Sequence, residues 1–151
     1  MRVGASFDHR GVKLRDAVLE AIAAAGGEAV DLGVDTDAVR VDYPDKALEL
    51  GLAIRRGEVD RGVLVCGSGV GASIAASKLT GIRAAVCHDT YSAHQGVEHD
   101  DLNVLCLGAE IVGGELTREL VRAFLGARFI GGGRYADRLQ KVVELERMTD
   151  G

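Results

Sequence analysis

The 151-residue chain has a single proline, an odd cysteine count of three and no excess of positive charge. With 21 glycines set against that one proline, a proline-rich linker and a collagen-like repeat are both excluded, so the glycines serve turns and close backbone approaches. Three cysteines cannot close into a complete set of intrachain disulfides. Cys66, Cys87 and Cys106 also sit in short apolar runs rather than polar loops, which predicts a reducing, cytoplasmic setting. A formal net charge of -5 gives no general attraction for nucleic acid or anionic lipid, so neither is an expected partner. An anionic small ligand would need a local cluster of cations. The opening MRVGASFDHRG lacks the apolar core of a signal peptide, and no apolar run reaches the length of a membrane span, so no membrane association is expected. No HExxH or paired-cysteine spacing occurs, and the glycine loop matches neither GxGxxG nor a Walker motif; neither a metal nor another cofactor is expected.

What is present is an alternation. The short apolar runs RVGAS, EAVDLG, RGVLVCG, IRAAVCH and NVLCLGA are separated by longer stretches of helical period. In the first of these, Val12, Ala17, Val18, Leu19, Ile22 and Ala25 form a broad apolar side, with Gly26 and Gly27 as the stop. Five strands, each followed by a helix, predict an α/β fold with a five-stranded parallel sheet covered on both faces. The segment RYADRLQKVVELERM predicts an additional C-terminal helix with no strand left to cover, hence a candidate for contact with a partner subunit. The whole of 1–151 is expected to form one domain, with 134–147 as that terminal helix.

In open parallel sheets the binding crevice lies beyond the C-terminal strand ends, so the residues after each run are the first candidates. In CGSGVG, Gly67, Gly69 and Gly71 lie where a strand gives way to a helix, a place where converging N–H groups can hold a phosphate or a developing oxyanion. Cys66 precedes them, either as a packed core thiol or as a base or nucleophile beside those donors. Asp8 and His9 in FDHRG suit a hydroxyl and an anion respectively, although an aspartate there also suits a helix cap. VEHDD offers His99 after a short fourth helix, and HDTYSAH offers His88 and His94. In GGGRYADRL, Arg134 and Arg138 are four apart and share one helix face, an arrangement suited to phosphate or to a solvated charged surface; the three glycines before them allow a close approach.

Taken together, DHRG, VDYPD, CGSGVGASIAASK, GIRAAVCHD, HDDLNVLCLGA and GGGRYADR resemble, in order and spacing, the ribose-5-phosphate isomerase B family, which also includes galactose-6-phosphate isomerase subunits. The resemblance implies a Rossmann-like three-layer sandwich and a cofactor-free aldose-ketose isomerase. It further implies a homodimer, or a tetramer of paired dimers, with active sites shared between subunits. By that resemblance Cys66 is the base moving a proton between C1 and C2, and Ser68 supports its thiolate. The loop through Gly67, Gly69 and Gly71 is the enediolate's anion hole, and His99 with Asp8 opens the sugar ring. Tyr43 flanks the sugar, while His9, Arg134 and Arg138 bind phosphate. Part of the family carries a glutamate base where this chain has Ala72, which puts it on the cysteine side. Two departures concern substrate choice. Asp100 stands where asparagine is usual and, ionised, can only accept a hydrogen bond; Arg10 stands beside His9 where alanine is more usual. Ribose 5-phosphate is the expected substrate, with a tetrose, another pentose or a hexose phosphate open, as is a hetero-oligomeric isomerase. A non-catalytic sugar-phosphate-binding subunit is the other class, one that could dispense with the base.

Overall fold

The computed structural model describes residues 1–148, so the last three residues of the expected domain lie outside the described residues. Five strands, β1 (Arg2–Phe7), β2 (Glu28–Asp31), β3 (Arg61–Cys66), β4 (Ala84–Val86) and β5 (Val104–Gly108), form one parallel sheet in the order β2-β1-β3-β5-β4. The helices are α1 (Arg15–Ala24, entered through a 3-10 turn at Val12–Leu14), α2 (Tyr43–Arg55), α3 (Val70–Ala76), α4 (Thr90–Asp100), α5 (Gly114–Gly126) and α6 (Gly133–Glu146). This is the Rossmann-like three-layer architecture, with α1, α4 and α5 packed together on one face and α2 with α3 on the other.

The two faces follow from the period-2 pattern of strands buried on both sides. Val63 and Val65 of β3 join Leu105 and Leu107 of β5 in the core beneath α1, α4 and α5. The intervening Leu64 and Cys66, with Val104 and Cys106, face Leu50 and Ala47 of α2 and Ala72 and Ala76 of α3. Cys66 is therefore aimed at the α2/α3 side by strand alternation alone.

Helix α1 stops where the glycine pair predicts: Gly26, at φ +80°, donates to the Ala23 carbonyl at 3.0 Å and Gly27 donates to Ile22 at 3.0 Å. Its buried side differs in one place. Ala21 is buried and Ala25 is exposed, because the helix has already ended at Ala24 and its last apolar position is carried past the sheet. Helix α6 has no buried residue, and its Val142 and Leu145 are 43% and 62% exposed, so the chain's own sheet leaves that helix uncovered. Before it, Gly131 and Gly133 take φ of +62° and +52°, and a Cβ on Gly132 or Gly133 would have nothing within 4 Å. These glycines serve a left-handed turn rather than the close approach their clustering suggests. Among the described residues, no helix is long and apolar enough to cross a membrane.

Candidate active site

The chain leaves β1 outward to β2 and returns across β1 to β3, so the segments following β1 and β3 diverge and open a crevice at their C-terminal ends. Asp8 directly follows β1, Cys66 ends β3, and the Asp8 N–H donates to the Val65 carbonyl at 3.2 Å. The sheet order thus brings together Asp8, His9, Cys66 and the glycine loop.

Cys66 is 5% exposed, packed in the α2/α3 core, and its Sγ accepts the Gly69 N–H at 3.1 Å. The packing holds the sulfur still, and the amide contact joins it to the glycine loop. The other two thiols differ. Burial pushes Cys87 up to about 11 and Cys106 well above the usual thiol range, so both stay neutral.

The loop beyond Cys66 rests on the end of β5. Ala109 and Glu110 donate to the Cys66 and Gly67 carbonyls, each at 2.9 Å. A Cβ on Gly108 would lie 2.6 Å from the Ser68 carbonyl carbon. Gly69 has φ +81° and would place a Cβ 3.0 Å from the Leu107 carbonyl carbon, so only glycine lets the chain turn there and present its amide to the sulfur. The Gly108 N–H is taken by His88 Nε2 at 3.0 Å. Burial lowers the His88 pKa against the opposing pull of Asp89, which keeps Nε2 an acceptor. His88 therefore anchors the support of the cysteine loop, a role its place in the sequence does not reveal.

Ser68 is exposed, and its Oγ accepts the Val70 N–H at 3.2 Å, so the bond it makes within the chain is to the loop and not to the thiol. Its hydroxyl proton stays available to a ligand. Tyr43, at the start of α2, lies over Gly71, where a Cβ would come 2.6 Å from its Cε1. The Arg10 guanidinium lies on Gly67 in the same manner, at 2.6 Å from Nε. Asp8 Oδ1 accepts the Arg10 and Gly11 amides at 2.9 and 2.8 Å, which closes the turn at 9–11 and does not cap the helix, whose N-cap positions Gly11 and Leu14 carry no side-chain cap bond; Oδ2 takes no bond from the described residues. His9 Nδ1 sits 3.1 Å from the Val41 carbonyl and 3.2 Å from its amide, which ties the 35–42 segment over the crevice and leaves Nε2 to face a ligand. At the rim, Lys13 pairs with Glu110 at 2.8 Å and holds its carboxyl below the usual range.

The second half of the expected machinery lies elsewhere. His99 is in the last turn of α4, not after it, and α4 runs from the C-terminal end of β4 back to the start of β5. Arg83, just before β4, donates to the Asp101 carbonyl at 2.7 Å and to its carboxylate at 2.9 Å, which fixes this helix end at the N-terminal edge of the sheet. In register, Cys66 pairs with Gly108 and Gly62 with Val104, so His99 and Cys66 are at opposite ends of the strands, on the order of 15 Å apart. Asp8 and His99 are separated in the same way. Arg134 and Arg138 are exposed on α6 at the His99 end, where the Tyr135 ring lies 4.6 Å from that of His99. Arg134 donates to Tyr135 Oη at 3.0 Å. Asp100 is exposed and lines a cavity of about 720 Å³ between β4, α4 and α6, away from the glycine loop.

Two further residues hold His99. Gln95 bonds it from one turn earlier, a pairing that i,i+4 spacing could have signalled. Tyr135 reaches it from another helix, and nothing local announces that. Among the described residues, no group of three or more His, Cys, Asp or Glu side chains is arranged to hold a metal ion.

Residues 3–142 match the family described as Ribose/Galactose Isomerase. Ribose-5-phosphate isomerase B of Escherichia coli is 41% identical over 146 residues, 97% of each chain. D-erythrulose-4-phosphate isomerase of Pectobacterium atrosepticum is 37% identical, covering 94% of this chain and 93% of its own. The structure of ribose-5-phosphate isomerase B from Clostridium thermocellum superposes with a TM-score of 0.92 at 42% identity, over 98% of this chain and 99% of that one.

Proposed function

The chain belongs to the ribose/galactose isomerase family and is an aldose-ketose isomerase of phosphorylated sugars; we propose that it interconverts ribose 5-phosphate and ribulose 5-phosphate with Cys66 as the base. The observation that carries the assignment of the base is the buried Sγ accepting the Gly69 amide at the β1/β3 crevice. A thiolate held there can take the proton from C2 of the open-chain aldose. The C2–H electrons form the C1–C2 double bond, and the carbonyl electrons move onto O1. Amides of the 67–71 loop face that developing charge and need no reorganisation as it forms. The sulfur then returns the proton to C1, and movement of the hydroxyl proton from O2 to O1 completes the ketose. Asp8 Oδ2 accepts a sugar hydroxyl, the Ser68 hydroxyl donates at the mouth, and Tyr43 walls the sugar.

Ring opening by His99 and phosphate binding by Arg134 and Arg138 require a second copy of the chain, because these groups lie at the far end of the sheet from Cys66. The uncovered helix α6 and the edge strand β4, with Leu139, Val142 and Leu145 along the cavity between them, supply an apolar face for that copy. A homodimer with two-fold symmetry then builds two equivalent sites, each with Cys66 and His9 from one chain and His99 with the arginines from the other. A tetramer would pair two such dimers.

A tetrose phosphate is the second reading, favoured by the erythrulose phosphate isomerase relative at nearly the same identity. Proton NMR in deuterated water tests both. Ribose 5-phosphate should exchange its C2 proton, and the ketose its C1 proton, at rates that exceed those of tetrose phosphates. Faster exchange with a tetrose phosphate transfers the assignment, and no exchange with any sugar phosphate refutes the enediol chemistry.

A further inference from the structure

Two histidines on α4 are held by neighbours of opposite hydrogen-bonding character. His94 Nδ1 faces Glu98 Oε1 at 2.9 Å, and a carboxylate can only accept, so that ring carries its proton on Nδ1. His99 Nδ1 faces Gln95 Nε2 at 2.7 Å, and an amide nitrogen can only donate, so that nitrogen is the acceptor. A neutral His99 must then carry its proton on Nε2. The Tyr135 ring lies at 4.6 Å and 34° to the imidazole, covering one face and fixing its plane. Arg134 caps the stack, 5.0 Å over Tyr135. The Ile130 N–H donates to the Glu98 carbonyl at 3.0 Å, which ties the approach to α6 onto the last turn of α4.

We propose that Gln95 is a positioning residue that sets the tautomer of His99, so that the neutral imidazole offers an Nε2–H donor to the ring oxygen of a furanose phosphate. The inference rests on the reading of His99 as the ring-opening group. Opening a cyclic sugar needs a proton delivered to the ring oxygen as the anomeric hydroxyl gives one up. The Gln95 bond makes Nε2 the donor: Nε2–H protonates the ring oxygen as the C1–O bond breaks, and the proton released by the anomeric hydroxyl on the same carbon passes to that nitrogen, so the ring ends the step as it began. A carboxylate in its place would draw the proton to Nδ1 and leave Nε2 a lone pair facing the oxygen it must protonate.

The test is a long-range proton–nitrogen correlation spectrum of the full-length protein at about pH 8, where ordinary imidazoles are neutral. His99→Asn assigns the His99 signals, and His94 provides the opposite pattern in the same spectrum. The wild type should show a protonated Nε2 at His99, Gln95→Glu should convert it to the His94 pattern, and Gln95→Leu should give a mixture of tautomers. In kinetics, Gln95→Glu should lower kcat on ribose 5-phosphate by about 100-fold, the lower range for a lost acid–base group. Turnover of a tetrose 4-phosphate, which cannot close a furanose through its esterified oxygen, should change far less. An Nδ1-protonated His99 in the wild type, or a tautomer unmoved by both Gln95 variants, overturns the proposal. Equal losses on both sugars for His99→Asn overturn instead the ring-opening assignment on which it rests.

Discussion

Replacing Gly69 with alanine sets two penalties on the residue whose amide meets the Cys66 sulfur. At φ +81° and ψ -18° the backbone is left-handed, which costs a non-glycine residue about 1–2 kcal/mol. The new Cβ would also sit 3.0 Å from the Leu107 carbonyl carbon and 3.2 Å from the Gly108 nitrogen, both backbone atoms. Neither can retreat without disturbing the bonds from Ala109 and Glu110 to the cysteine loop. Adding about 1 kcal/mol for that crowding gives a loss of roughly 2–3 kcal/mol. At about 2–4 °C per kcal/mol for a chain of this size, the melting temperature should fall by roughly 5–10 °C in a calorimetric or circular dichroism melt. Displacing the amide that meets the sulfur should also lower kcat by about 100-fold, the lower range for a disabled acid–base group. Gly126→Ala is the internal contrast: it lies exposed in α5 with nothing within 4 Å of the new Cβ, and should gain about 0.5–1 kcal/mol. A Gly69→Ala protein with wild-type melting and turnover would refute the left-handed geometry and the role built on it.

Two further outcomes concern the thiols and pH. Cys66→Ala should lose about 100-fold to 10,000-fold in turnover with the fold retained. Cys106→Ala, fully buried away from the loop, should lose stability and keep turnover; the reverse pattern in denaturant melts and rate assays would exchange their roles. Burial lowers the folded-state pKa of His88, so the unfolded chain binds its proton first as pH falls. The stability this group contributes is full above the ordinary histidine range of about 6.5 and is lost as pH falls through the depressed folded value. His88→Gln should flatten that part of the stability–pH curve, and a curve unchanged by the substitution would remove His88 from the titration.

The sequence makes the first half of the site legible and only part of the second. Apolar runs of strand length separated by helical stretches locate the ends of β1 and β3, and with them Asp8 and Cys66. Strand order is set by non-local pairing, so nothing in the runs themselves shows that β5 inserts between β3 and β4. The distance between His99 and Cys66 follows from the direction of α4. A helix joining two parallel strands must return to the N-terminal edge, and α4 runs on through His99 to Asp100 to do so, past the end that its short pattern suggests. Helix termini are set by caps that short patterns express weakly; here the stop is Asp101, a non-glycine residue at φ 52°. The glycines at 131–133 suggest a close approach and do not announce a left-handed turn, because a close approach and a positive φ demand the same residue. Arg10 against Gly67 is a contact between two loops, and only the fold brings it about.

The claim that each active site is shared between two chains is tested most directly by subunit exchange. Cys66→Ala and Arg134→Ala/Arg138→Ala proteins, each inactive alone, are mixed in equal amounts under conditions that let protomers exchange, with native mass spectrometry counting the mixed dimers. Random pairing makes about half the dimers mixed, each with one intact site of two, so activity should recover to roughly a quarter of wild type. Mixed dimers at that abundance with no activity above either parent would contradict a site shared in this way.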